Sequence, residues 1–72
     1  MTVRQMGDLL ASKFAAAPKV ASVASLGNGE VVVEFNAGYK VEFFADRFDR
    51  ETYTSTAARD AAITALVDRF AA

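Results

Sequence analysis

Neither histidine nor cysteine occurs among the 72 residues. That removes the side chains most used for acid–base work near neutral pH, for thiolate attack and for zinc ligation. The chemistry left to the chain belongs to carboxylates, ammonium and guanidinium groups, hydroxyls and two phenols. Three stretches concentrate such groups. Glu34 and Glu42 fall at outward positions of neighbouring strand-like segments, where paired carboxylates serve as acid and base if burial separates their pKa values. A charged strand face with Lys40 beside them provides no such burial, so the pair reads as a solvated surface and the chain as a non-enzyme with no catalytic residues. Asp46, Asp49 and Glu51 form D-x-x-D-x-E, a set of oxygen ligands for a hard cation. The spacing lacks the glycine and ligand order of an EF-hand, and the interleaved Arg47 and Arg50 compete for the same carboxylates. It reads as a salt-bridge network, with no metal expected. Gly27-Asn28-Gly29 lacks both the lysine and the following helix of a phosphate loop, and reads as a turn. No cofactor and no small-molecule substrate is expected.

The elements that position these groups follow from periodicity. In Glu30–Ala45, EVVVEFNAGYKVEFFA, apolar and polar residues alternate with the period of a half-buried strand. A three-residue loop of Asn36, Ala37 and Gly38 places Phe35 opposite Tyr39, Val33 opposite Val41 and Val31 opposite Phe43, all on one face. A two-residue loop mixes the faces, which is costly when one of them is buried. Gly38 supplies the left-handed position of the longer loop. The register sets Glu34 opposite Lys40 on the outer face, a pair worth about 0.2–1 kcal/mol.

A helix is predicted from Thr2 to about Ala17, with Val3, Met6, Leu10 and Phe14 at spacings of three and four and Leu9 widening the stripe. Thr2 and Gln5 form a capping box, and Pro18 ends the segment. Gly7 weakens the helix by about 1 kcal/mol relative to alanine, and permits close approach to the sheet or to a second helix. Val20–Leu26 is a strand of small residues. An Asn28-Gly29 type I′ turn sets Leu26 opposite Val31 and Ala24 opposite Val33, with Val20, Ser22, Ala24 and Leu26 inward; a three-residue loop turns Ala21, Val23 and Ser25 inward instead. The first arrangement is preferred because it buries Leu26. Asp46 to Tyr53 is a charged connector. A second helix runs from Ser55 or Thr56 to Phe70, with Ile63, Leu66, Val67 and Phe70 as its stripe, continued backward by Ala58, Ala61 and Ala62. Asp60 and Arg69 have the signs that suit the two helix ends.

The expected fold is a single small α+β domain over residues 1–72. Its order is α-β-β-β-α, a three-stranded antiparallel meander with two helices packed on one face. The predicted core is Val3, Met6, Leu10, Phe14, Leu26, Val31, Val33, Phe35, Tyr39, Val41, Phe43, Ile63, Leu66, Val67 and Phe70. The order of elements resembles the double-stranded RNA-binding domain. At residue level the resemblance lies in Ala57, Ala61 and Ala62 after Thr54-Ser55. That family's second helix opens with a lysine-rich motif, roughly K-K-x-A-K-x-x-A-A, that grips phosphates. Here the stretch from Thr54 to Ala62 has none of the lysines and carries Asp60, so the resemblance implies architecture without RNA-binding residues.

A formal net charge of −1 excludes neither sign of partner, but it disfavours a dedicated nucleic-acid binder, which presents a basic face. No apolar run approaches a membrane span, and Arg4 and Asp8 interrupt the N-terminal segment, so the chain reads as cytoplasmic and free of membrane. The residues that stand out are apolar ones off the core face. Val32 and Phe44 point away from the helices, opposite Glu42 and Glu30, and Val23 joins them under the preferred turn. With Glu42 as rim, and with Phe48, Arg47 and Arg50 in the connector, they form a candidate partner-binding surface. The expected function is a protein-protein interaction module that binds a larger protein or a second copy of itself. Its size and lack of motifs fit a small inhibitor or adaptor of the kind phages and mobile elements encode, anti-CRISPR proteins among them. The alternative is a small nucleic-acid-binding or regulatory domain using Arg47, Arg50 and Arg59.

Overall fold

The computed structural model of the chain describes residues 2–45 and 55–71, and for Ala71 the backbone alone. The elements are α1 (Val3–Ala15), β1 (Val20–Ser25), β2 (Glu30–Phe35), β3 (Lys40–Phe44) and α2 (Thr56–Ala71). The strands form one antiparallel sheet in the order β1-β2-β3, and both helices pack on the same face of it. The expected α+β meander is therefore the observed fold. The connector from Asp46 to Tyr53, with its expected salt-bridge network, lies outside the described residues.

β2 is the axis of the sheet. Its alternation leaves Val31, Val33 and Phe35 buried on one side and Glu30, Val32 and Glu34 half-buried on the other. The β2–β3 register is the one required by parity: Glu30 faces Phe44, Val31 faces Phe43, Val32 faces Glu42, Val33 faces Val41 and Glu34 faces Lys40. The Asn36-Ala37-Gly38 loop closes as expected. The Phe35 amide donates to the Tyr39 carbonyl at 2.9 Å, and the Gly38 amide donates to the Phe35 carbonyl at 2.9 Å. Gly38 takes φ +96°, a conformation that costs a side-chain-bearing residue about 1–2 kcal/mol. Pairing continues past the other end of the hairpin, where the Ala45 amide donates to the Gly29 carbonyl.

Over the inner face, α1 contributes Met6, Leu10 and Phe14 and α2 contributes Ile63, all buried. Phe43 joins the layers. It stacks on Phe14 of α1, with ring centroids 4.7 Å apart, and meets Phe70 of α2 edge-on at 5.3 Å. Among the described residues, Phe14, Leu10, Ile63, Val31 and Val33 are the largest fully enclosed side chains, each worth about 1.5–3 kcal/mol in water removed from apolar surface. Among the described residues, no polar side chain is buried. Val41, Phe43, Leu66, Val67 and Phe70 are half-buried against this core. Along α2, Ala62 packs on the core while Ala58 and Ala61 are exposed, so its apolar stripe is narrower than the spacing suggested.

Capping chemistry sets the helix starts. The Gln5 amide donates to Thr2 Oγ1 at 3.1 Å, and the Thr2 amide donates to Gln5 Oε1 at 2.8 Å. These complete the expected capping box. At α2, the Ala58 amide donates to Ser55 Oγ at 3.1 Å, which makes Ser55 the cap. Asp60 lies beyond the first turn of α2. It pairs with Arg59 at 3.2 Å instead of compensating the helix end.

The β1 register departs from expectation. Ser25 faces Val31, Ala24 faces Val32, Val23 faces Val33 and Ser22 faces Glu34. Val23 and Ser25 thus turn inward, while Ser22, Ala24 and Leu26 turn outward. A bulge between Val20 and Ser22 returns Val20 to the inner face opposite Phe35. The turn has three residues, closed by the Leu26 amide donating to the Glu30 carbonyl at 3.0 Å. Its left-handed positions are taken by Gly27 and Gly29, at φ +83° and +92°. Asn28 instead accepts the Glu30 amide at 3.0 Å through Oδ1, an Asx-type contact.

The helix above explains the preference. Gly7 sits directly on Gly29: a Cβ on Gly7 would lie 3.3 Å from Gly29 Cα, and a Cβ on Gly29 would lie 2.3 Å from Val3 Cγ1. Ser25, turned inward at this crossing, donates from Oγ to Asp8 Oδ1 of α1 at 2.8 Å. Three residues expected in the core lie partly outside it. Leu26 is 54% exposed on the outer face, Val3 is 41% exposed over Gly29 in the first turn of α1, and Tyr39 is 51% exposed. Tyr39 precedes β3 and stacks on Phe35 at 4.7 Å, so one ring face is covered while the helices do not reach the other.

Two outcomes check this geometry by urea denaturation. Val23→Ser destabilises the fold by about 1–3 kcal/mol, as loss of half-buried apolar packing does, whereas Leu26→Ser stays within about 0.5 kcal/mol. The reverse order identifies the two-residue turn. Gly29→Ala costs more than Gly38→Ala, because both share the left-handed strain but only Gly29 has a neighbour in the way, adding an overpacking cost of about 1–3 kcal/mol.

Candidate functional site

With both helices on one side, the opposite face of the sheet carries no layer among the described residues. The pairing arranges its side chains in three rows across the strands. Leu26, Glu30 and Phe44 make the row nearest the β1–β2 turn. Ala24, Val32 and Glu42 make the middle row, and Ser22, Glu34 and Lys40 the far one. Apolar surface therefore gathers at one end and polar surface at the other. Phe44 is 47% exposed, an unusual exposure for a large aromatic on a regular strand. Val32 is half-buried between its neighbours, and Glu42 is exposed.

The electrostatics follow from the same register. Glu30 and Glu42 are diagonal neighbours on adjacent strands, close enough for their carboxyl groups to share a hydrogen bond. Partial desolvation of Glu30 comes first among the causes that raise its pKa above the ordinary glutamate value. The hydrogen bond that protonated Glu30 donates to Glu42 and the repulsion of the Glu42 charge act in the same direction. Glu34 accepts a hydrogen bond from Ser22 Oγ at 3.2 Å, with Lys40 as its cross-strand neighbour. Among the described residues, these three rows hold three carboxylates and one ammonium.

Of the residues expected to contact a partner, Val32, Phe44 and Glu42 are brought together here. Phe48, Arg47 and Arg50 lie outside the described residues. Val23, which the Asn-Gly turn would have placed on this face, faces Val33 in the core layer. Leu26 takes its place. It is the residue that sequence reasoning misplaced, and the signal that could have found it is Gly27: a two-residue Asn28-Gly29 turn leaves that glycine as a strand residue with no conformational task. Glu34 and Glu42, considered above as an acid–base pair, lie in adjacent rows as diagonal neighbours, and Glu42 stands in the same relation to Glu30 on its other side; the carboxyl interaction that perturbs a pKa is the one between Glu30 and Glu42. No group of three or more potential metal ligands occurs among the described residues, and no described helix is long and apolar enough to cross a membrane.

No family model, curated protein or solved structure matches the chain.

The carboxyl pair has a measurable consequence. A glutamate whose pKa is raised on folding contributes stability that is fully present below its unfolded pKa and is lost as pH rises through the folded value. Glu42→Gln should therefore return the Glu30 pKa toward the ordinary glutamate value in a carboxyl-carbon NMR titration. It should also leave neutral-pH stability equal or slightly higher, and flatten the stability–pH curve just above that value. An unchanged Glu30 titration would show that the two groups do not interact.

Proposed function

We propose that this chain is a non-enzymatic protein-protein interaction module whose working surface is the outer face of the sheet. The observation that supports this most directly is the row of Leu26, Glu30 and Phe44, two large exposed apolar side chains flanking a carboxylate on rigid, paired backbone. Isolated exposed apolar residues are ordinary; a cluster on a sheet face without a second covering layer is the pattern of a contact surface with a polar rim. Val32 continues the apolar patch toward the middle of the face, and Glu42 and Glu34 bound it. Among the described residues β1 and β3 are also the edges of the sheet, which extends the surface available to a partner.

The charge of the face favours protein over nucleic acid. Three carboxylates around the patch repel phosphate, and Arg59, a cation available to the nucleic-acid reading, is engaged with Asp60. A role as a small inhibitor or adaptor agrees with the size of the chain and rests on no particular residue.

The test is comparative affinity capture in cells of the source organism, followed by identification of retained proteins. The parent chain should retain a partner that Phe44→Glu and Leu26→Glu each lose, while Lys13→Glu on α1 keeps it. Circular dichroism should show all three variants folded. Equal retention by Phe44→Glu would remove the outer face as the working surface.

A further inference from the structure

The proposed interaction surface leaves open what kind of protein would dock there, and the arrangement of charge on the face narrows this. Glu30 and Glu42 are diagonal neighbours on adjacent strands of this face, Glu30 flanked in its row by Leu26 and Phe44 and Glu42 paired in the next row with Val32. Two carboxylates held this close repel each other near neutral pH unless a proton or a cation lies between them. Building them into an apolar patch makes the repulsion a feature of the free protein that a suitable partner relieves. Phe44 stands directly opposite Glu30 in the register, so a cation bound at the carboxylates also lies within reach of an aromatic ring.

We propose that the outer face receives a basic protein surface, with an arginine of the partner seated between Glu30 and Glu42 and apolar partner side chains resting on Leu26 and Phe44. This rests on the reading of the face as an interaction surface and adds the chemistry of the partner. Arginine fits better than lysine because its planar fork donates to two carboxylates at once and stacks on an aromatic face. A second copy of the chain fits poorly. Stacking the face on itself with the middle rows aligned brings the Glu34 row onto the Glu30 row, carboxylate against carboxylate, and doubles a charge already in excess. A divalent cation alone is also a poor occupant, since it takes about six or more oxygen ligands and two carboxylates supply too few.

The experiment is an amide NMR titration of the full chain with two synthetic probes. These are the capped tripeptide acetyl-Val-Arg-Leu-amide and its counterpart carrying neutral, isosteric citrulline in place of arginine. The arginine probe should shift Leu26, Glu30, Val32, Glu42 and Phe44 and bind roughly tenfold or more tightly than the citrulline probe. That advantage should shrink in high salt and vanish in the double variant Glu30→Gln, Glu42→Gln, whose spectrum should otherwise show the parent fold. Equal binding of the two probes at this face would overturn the cationic partner while leaving the interaction surface intact. Shifts confined to other parts of the chain, or none with either probe, would also overturn it, and the Phe44→Glu capture result then decides separately whether the face binds protein at all. Two controls without peptide bear on the occupant. Concentration-dependent shifts at the same residues would assign the face to a second copy, and calcium chloride reproducing the arginine shifts would assign it to a metal ion; either result overturns the proposal.

Discussion

The parity of β2 is the constraint from which the rest of this protein follows. Six residues alternate between a side that is wholly enclosed and a side that is half-covered, and both neighbouring strands are hydrogen-bonded to them. A slip of one residue would carry Val31, Val33 and Phe35 out of the core and Glu30, Val32 and Glu34 into it, burying two carboxylates without partners. Fold and candidate site are thus the two faces of one strand. The inner face seats α1 and α2, and the outer face holds Val32 between carboxylates.

Three contacts convert that strand into a closed layer. Phe43, placed opposite Val31, meets an aromatic from each helix and so ties β3, α1 and α2 together. At the other side of the sheet, Gly7 on Gly29 lets α1 lie almost on the backbone of the β1–β2 turn. Ser25 and Asp8 hold the same crossing by a hydrogen bond. The consequence reaches the opposite face, because the three-residue turn that suits this crossing is also what turns Leu26 outward beside Glu30. A packing requirement on the helix side therefore decides the composition of the exposed side.

Much of this was legible in the residues. The Asn36–Gly38 loop could be chosen by parity, since only one loop length keeps six large apolar residues together. Thr2, Gln5 and Ser55 announced the helix starts through capping chemistry that depends on neighbours three positions away. Val32 and Phe44 declared themselves as outward apolar residues for the same reason. The β1 register was not legible in this way. Val20–Leu26 is built of alanine, serine, valine and one leucine, so both faces are nearly equal in apolar area and the preference for burying Leu26 was the only discriminator. That preference lost to a glycine crossing formed with a residue some twenty positions earlier in the chain. Val3 and Tyr39 fit the apolar periodicities as well as their neighbours do, yet lie at the ends of their elements, where the opposing layer runs out.

By itself the sequence determined everything that depends on period and local hydrogen bonding: the order of elements, the helix caps, the β2–β3 register, and an outer face bearing Val32, Phe44, Glu30 and Glu42. It also excluded chemistry that needs imidazole or thiol. Only the tertiary structure decided what depends on distance between elements. It put Gly7 on Gly29, turned Leu26 to the outside, and thereby joined Leu26 to Phe44 across Glu30. Local propensity is nearly blind to such choices, because in a strand of small residues the two registers differ little until a helix is laid across one of them.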